Sequence, residues 1–272
     1  MKTLINNVIN KLGYTILKKE NNPSYYLEYG QNLHYDYNKE AKGSIKIVRN
    51  FSMLPYVNLL SLFEQTVYCE KTKIEGDFVE CGVWKGGAVG LMALANLEFG
   101  LNRRNLHLFD SFDSICYPDE NIDGDKAIED VIKFAGDYNK EMSGLLKPIQ
   151  GFYTSLGGPG TIQSNKQLLE GIIKYPQEYI SYYKGWFQNT IPENYFKIQK
   201  ISILRLDCDW YASTKICLDY LYDKVVSGGI IIVDDYGCYE GCKKAVDEFL
   251  EKRSIKTFLN YSNENCRYWI KK

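Results

Sequence analysis

The sequence predicts an α/β fold: a doubly wound, mostly parallel sheet with an antiparallel edge and an N-terminal helical extension. Three observations predict it. From residue 55 onward, short apolar runs of strand character alternate with segments of helical periodicity, as βα units require. Gly76-Asp-Phe-Val-Glu-Cys-Gly-Val-Trp-Lys-Gly-Gly87, running on into Ala88 to Asn96, reads as buried strand, tight glycine turn and apolar helix. Five successive strand ends then carry an acid or a glycine turn, at the edge where parallel sheets form their ligand crevice.

At 272 residues the chain suits one large domain with additions. The expected division is an N-terminal extension and lid over 1–54 and a main domain over 55–272, with a variable insertion at 113–160. Residues 1–19 place Leu4, Ile5, Val8, Ile9 and Leu12 at helical spacing, an amphipathic helix expected to pack on its own domain or a second copy rather than a membrane. Residues 20–45 lack periodicity and read as irregular. Pro55 to Lys73 is helical, with Val57, Leu60, Phe63, Val67 and Tyr68 as its apolar face. Strands follow at Phe78–Cys81 and Leu106–Asp110. In the insertion, Asp123-Gly-Asp125 is a turn and Gly157-Gly-Pro-Gly160 a loop; a solvent loop is expected, with a substrate cover as the alternative. Thr161 to Tyr175 is helical, with Leu168, Leu169, Ile172 and Ile173 turned inward. A third strand, Ile180–Lys184, closes in Gly185-Trp186-Phe187. The fourth and fifth, Ile201–Asp207 and Ile230–Asp235, flank a helix over Ser213–Lys224. A helix over Gly241–Lys252 precedes closing strands at Thr257–Leu259 and Arg267–Ile270, which form an antiparallel edge around Asn260–Asn265.

Composition narrows the partners. With 33 basic and 34 acidic residues there is no polyanion-binding surplus, so nucleic acid is not expected. No apolar run reaches membrane-spanning length and no signal-peptide core opens the chain. Eight scattered cysteines, without a Cys-x-x-Cys pair, point to reduced thiols and a cytoplasmic location. The 23 tyrosines suit flat polar ligands such as sugars. A homo-oligomer is expected.

The chemistry sits at the strand ends. Glu80-x-Gly82-x-x-x-Gly86-Gly87 is not the dinucleotide Gly-x-Gly-x-x-Gly pattern, and an acid on the first strand suits a cationic ligand such as the aminoacyl end of S-adenosylmethionine. A packing device is the alternative for the glycines. Asp110 stands one βαβ step later, where an acid binds ribose hydroxyls; an N-cap or turn is its other reading. Asp207 and Asp234 end adjacent strands, and Asp209 and Asp235 raise the local carboxylates to four. Like charges this close call for a cation, and an all-oxygen set suits Mg²⁺ or Ca²⁺ rather than zinc. The alternative is that Asp234 and Asp235 only cap the next helix. With two histidines, His34 and His107, any proton removal falls to a carboxylate, and Asp209 is best placed.

Five segments carry a family resemblance: Gly76 to Gly87; Leu108-Phe-Asp-Ser-Phe112; Lys184-Gly-Trp-Phe187 with Thr190-Ile-Pro192; Leu204-Arg-Leu-Asp-Cys-Asp209; and Val233-Asp-Asp-Tyr-Gly237 through Gly241-Cys-Lys-Lys-Ala-Val-Asp247. In order and spacing, across roughly residues 48 to 250, the chain resembles the macrocin O-methyltransferase family of sugar O-methyltransferases. The resemblance implies a Rossmann-like class I methyltransferase sheet, S-adenosylmethionine and Mg²⁺ as cofactors, and a sugar or glycoconjugate hydroxyl as acceptor. It implies Asp207, Asp234 and Asp235 as metal ligands and Asp209 as general base. Glu80, Gly82, Asp110, Ser111, Gly185 and Trp186 would hold the cofactor, with Met53 in the lid segment before the first helix. Cys208 and Ala212 depart from the family pattern, which has Gly and Glu there. The competing readings are a nicotinamide-dependent sugar oxidoreductase and a non-catalytic glycan-binding relative.

Overall fold

Apolar runs too short for helices become the strands, and the first two are buried along almost their whole length, as a sheet covered on both faces demands. The computed structural model describes residues 38–272; the amphipathic segment 1–19, the irregular stretch up to 37 and His34 lie outside the described residues. In chain order the elements are α1 (Lys39–Val48), α2 (Tyr56–Lys71), β1 (Asp77–Cys81), α3 (Gly87–Phe99), β2 (Leu106–Asp110), α4 (Asp125–Ala135), α5 (Ile162–Lys166), β3 (Ile180–Lys184), α6 (Phe187–Asn194), β4 (Ile201–Leu206), α7 (Tyr211–Leu221), β5 (Val225–Val233), α8 (Glu240–Lys252), β6 (Asn260–Tyr261) and β7 (Arg267–Ile270).

The seven strands form one sheet in the order β3-β2-β1-β4-β5-β7-β6. The first five are parallel, while β7 runs antiparallel to β5 and β6 antiparallel to β7. Strand order reverses between β1 and β4. Their carboxyl ends therefore flank the switch point, where connections leave in opposite directions and a crevice opens. The core is built from Val79, Leu204, Leu206, Ile231 and Val233 with Cys217, Leu218 and Trp269 against them. Below the crevice, His107 is satisfied by Tyr183 Oη (3.0 Å) and Asp77 Oδ2 (3.1 Å), a structural role.

Several expectations need correction. The compact unit starts at Asn38, so α1, expected to be irregular over 39–45, folds with the domain and the 54/55 boundary has no counterpart. Leu60 and Phe63 are buried in α2 as expected, together with Leu59, Leu62, Thr66, Cys69 and Glu70, while Val57 and Tyr68 are exposed. Polar positions can face inward because they are paired, Glu70 with Arg104 at 2.6 Å. The insertion is not an open loop: α4 crosses it, and Val131, Tyr138, Ile149 and Phe152 make a small core. After α5 the helix widens to i→i+5 bonding over Gln167–Ile172, which shifts the phase and leaves Ile172 exposed while Leu168, Leu169 and Ile173 stay buried. Helix α6, unexpected after Gly185-Trp186, contains Pro192. Strand β5 begins at Val225 and ends at Val233, leaving Asp234 and Asp235 in the turn beyond it. The edge strand β6 is Asn260–Tyr261, not Thr257–Leu259. All eight cysteines are free thiols. Among the described residues, no helix is long and apolar enough to cross a membrane.

Candidate active site

The glycine turn after β1 is built for close approach. Gly82 has φ +84°, and a Cβ there would lie 1.8 Å from the Asp207 carbonyl oxygen, so only glycine lets this turn pass the end of β4. Gly86, at φ +89°, starts α3. Asp110 organises the same turn: Oδ2 accepts the N–H groups of Val83 (2.6 Å) and Trp84 (3.0 Å), and Oδ1 accepts Phe112 N–H (2.6 Å), with the Ser111 hydroxyl 3.3 Å away. A carboxylate has about four acceptor positions. Three of these are engaged by backbone N–H groups, and the Ser111 hydroxyl gives its single proton to Ser114 O at 2.6 Å.

Backbone bonds continue the ladder one residue past the strands and so align the acids. Asp207 N–H donates to Cys81 O (2.8 Å) and Asp234 N–H to Leu206 O (2.9 Å). One oxygen from each of Asp207, Asp234 and Asp235 falls within 4.8 Å of the others. Asp209 takes the left-handed conformation (φ +57°), and its N–H donates to Asp235 Oδ2 at 3.1 Å. That strained position holds the suggested base beside the suggested ligands.

One residue at the centre of this arrangement was not singled out from sequence. Arg205, on β4 and 2% exposed, sends Nη1 to Glu80 Oε1 (2.8 Å) and Asp207 Oδ2 (2.9 Å), while Nη2 lies 3.0 Å from Asp234 Oδ1. The signal available was a lone charge inside a short strand of otherwise uncharged residues, since a buried guanidinium needs partners. Asn58 of α2 also reaches Asp234 Oδ1, at 3.5 Å. Burial lifts Glu80 to about 8, although Arg205 pulls the other way. Burial also lifts Asp234, to about 6, against Arg205 and with the repulsion of Asp207. Asp209 and Asp235 are held well above the carboxylate range by burial and by the neighbouring carboxylates.

Two adjoining cavities share Asp207 and Asp209. One takes in Gly82, Asp110, Ser111, Gly185 and Trp186, and also Tyr153 from the insertion. The other takes in Met53, Glu80, Arg205, Asp234 and Asp235. Every residue singled out at the strand ends, and Met53, therefore lines this crevice. Both implied groups fit it. Glu80 Oε2 is buried with no hydrogen-bond partner among the described residues, an open acceptor for an ammonium group. The oxygens of an Mg²⁺ shell at about 2.1 Å stand at most about 4.2 Å apart, and those around Ca²⁺ about 5 Å, so three carboxylates within 4.8 Å match a hard divalent cation after a small closure.

A family model described as macrocin-O-methyltransferase (TylF) matches residues 13–137 and 173–271. The chain belongs to the macrocin-O-methyltransferase family. This is a family of S-adenosylmethionine-dependent O-methyltransferases, and the sheet order here is the Rossmann-like class I arrangement. Among its relatives, demethyldecarbamoylnovobiocin O-methyltransferase of Streptomyces niveus is 32% identical over 72% of this chain and 66% of its own length. Mycinamicin III 3''-O-methyltransferase of Micromonospora griseorubida is 28% identical over 72% of this chain and 68% of its own. The matches thus span about two thirds of these relatives' length. The solved O-methyltransferase NovP superposes with a TM-score of 0.64 at 26% identity, covering 92% of this chain and 99% of that one.

Proposed function

We propose that this protein methylates a sugar hydroxyl, with S-adenosylmethionine as donor and a divalent cation, Mg²⁺ in the first place, held by Asp207, Asp234 and Asp235. The observation that carries this reading is the three-carboxylate cluster with Asp209 beside it, next to a buried and unpartnered acceptor on Glu80. Family membership and the two relatives named for sugar-bearing antibiotics support the acceptor class. When bound, the cation acidifies and orients the acceptor hydroxyl and neutralises the cluster.

The chain's own residues do the rest. Glu80, fixed through Arg205 to β4, receives the donor's ammonium group at the end of β1. Gly82 leaves room beside the Asp207 carbonyl, and Gly185 and Trp186 wall the adenosine side. Asp209, locked by its N–H bond to Asp235, takes the acceptor proton. The methyl then passes in line from sulfonium to oxygen, a step that depends chiefly on how the two substrates are held.

The test is methyl transfer from labelled S-adenosylmethionine to a panel of deoxysugar glycosides, nucleotide sugars and polysaccharide fragments, with and without chelator. Transfer that stops in chelator and returns with Mg²⁺ is expected. Full turnover in excess chelator would remove the metal from the reading.

A further inference from the structure

On each of the three clustered carboxylates one oxygen is engaged by protein. Asp207 Oδ2 accepts Arg205 Nη1–H (2.9 Å), and Asp235 Oδ2 accepts the Asp209 N–H (3.1 Å). Asp234 Oδ1 lies 3.0 Å from Arg205 Nη2 and 3.5 Å from Asn58 Nδ2. The opposite oxygens, Asp207 Oδ1, Asp234 Oδ2 and Asp235 Oδ1, have no N–H donor among the described residues. The Cys266 thiol, a weak donor, also borders Asp234. One oxygen fixed and one left open is how a protein aims a carboxylate at a cation.

Arg205 and the Asp209 N–H come from β4 and the turn beyond it. Asn58 comes from elsewhere, the first turn of α2, 176 residues before Asp234, with its own N–H bonded to the Pro55 carbonyl (3.1 Å). It is 5% exposed, and its amide is only half used. Nδ2 reaches Asp234 at the outer limit of a hydrogen bond, while Oδ1 is buried with no hydrogen-bond partner among the described residues. A buried amide left half unpaired costs stability, and an apolar side chain of similar shape would serve the fold as well. What Asn58 contributes lies with Asp234 rather than with the core.

We propose that Asn58 is a positioning residue of the cation site: its amide N–H holds Asp234 Oδ1 beside Arg205, so that Oδ2 is left for the cation. This rests on the divalent-cation part of the reading above. Mg²⁺ demands near-ideal octahedral placement of its oxygens, whereas Ca²⁺ accepts a looser set. Loss of a group that aims one ligand is then felt by Mg²⁺ more than by Ca²⁺.

Calorimetric titration of Mg²⁺ and of Ca²⁺ into metal-free wild type, Asn58→Leu and Asn58→Ala tests it, with melting in chelator and S-adenosylhomocysteine affinity measured alongside. Both variants should bind Mg²⁺ about 10- to 100-fold more weakly. The loss for Ca²⁺ should be smaller, so the ratio of the two affinities falls. At least one variant should melt in chelator no lower than wild type, and both should bind S-adenosylhomocysteine as wild type does. Unchanged Mg²⁺ affinity in either variant overturns the proposal. So do equal losses for the two cations, or a lower melting temperature in both variants, which would make Asn58 a structural residue. If wild type binds neither cation, the divalent-cation reading itself fails and this inference with it, while S-adenosylhomocysteine binding still tests the methyl donor separately.

Discussion

Arg205 decides how the individual acids of the crevice behave. A cluster of carboxylates alone would gain from losing one charge, so replacing Asp234 by Asn would relieve the metal-free protein. With the guanidinium within 3.0 Å of Asp207, Asp234 and Glu80, that gain is offset by a lost partner of a buried cation. The converse change is the more informative. Arg205→Met leaves three acids without their shared counter-charge and should lower unfolding free energy by about 3–5 kcal/mol. Urea denaturation in chelator measures it, and a loss under about 1 kcal/mol would mean the guanidinium is not the cluster's main counter-ion. Asp209 has a different task. Asp209→Asn removes a proton acceptor but keeps the backbone N–H bonded to Asp235, so kcat should fall roughly 10²- to 10⁴-fold while S-adenosylhomocysteine affinity holds. Near-normal turnover would take Asp209 out of the reaction.

Among the elements, the β1 turn is the one that fails if altered by a single methyl. Gly82→Ala puts a Cβ 1.8 Å from a backbone carbonyl at φ +84°, whereas Gly136→Ala, at φ +92°, meets nothing within 4 Å. The second should cost about 1–2 kcal/mol, the conformational penalty alone. The first must also push β1 from β4, so it should cost several-fold more and abolish S-adenosylhomocysteine binding; similar melting temperatures for the two variants would contradict this. That turn was legible because glycine, acid and apolar helix each leave a local mark. The strand-end acids were legible for the same reason. Helix α4 was marked too, by Ala127, Ile128, Val131 and Ala135 with Gly136 as its stop, but the turn residues Asp123-Gly124-Asp125 directly before it masked the start. Helix α6 is eight residues long and holds a proline, which breaks the usual pattern. The two-residue β6 is too short to show alternation. Arg205 was hidden for another reason: its role exists only through contacts between distant segments.

At the scale of the whole molecule, net charge is −1, yet Glu80, Asp207, Asp209, Asp234 and Asp235 gather at one end of the sheet. Stability should therefore depend on pH through that end more than through the surface. Glu80 is the cleanest case. Burial raises it from 4.5 to about 8, so the folded state keeps a proton that the unfolded chain releases. A raised value contributes stability that is fully present below about 4.5 and lost as pH climbs through about 8, because the unfolded chain then binds fewer protons. In chelator, unfolding free energy should fall over that window by a few kcal/mol at most. Glu80→Gln cannot ionise and should flatten the slope. Saturating S-adenosylhomocysteine should flatten it as well, if its ammonium group supplies the charge that Glu80 lacks, and should stabilise by about 2.7 kcal/mol at a hundredfold excess over Kd. Denaturant titrations from pH 5 to 8.5 on wild type, Glu80→Gln and the ligand complex measure all three slopes. If wild type and Glu80→Gln lose stability in parallel, Glu80 is already ionised against Arg205 in the free protein, and the ligand's ammonium group meets a formed ion pair rather than an open acid.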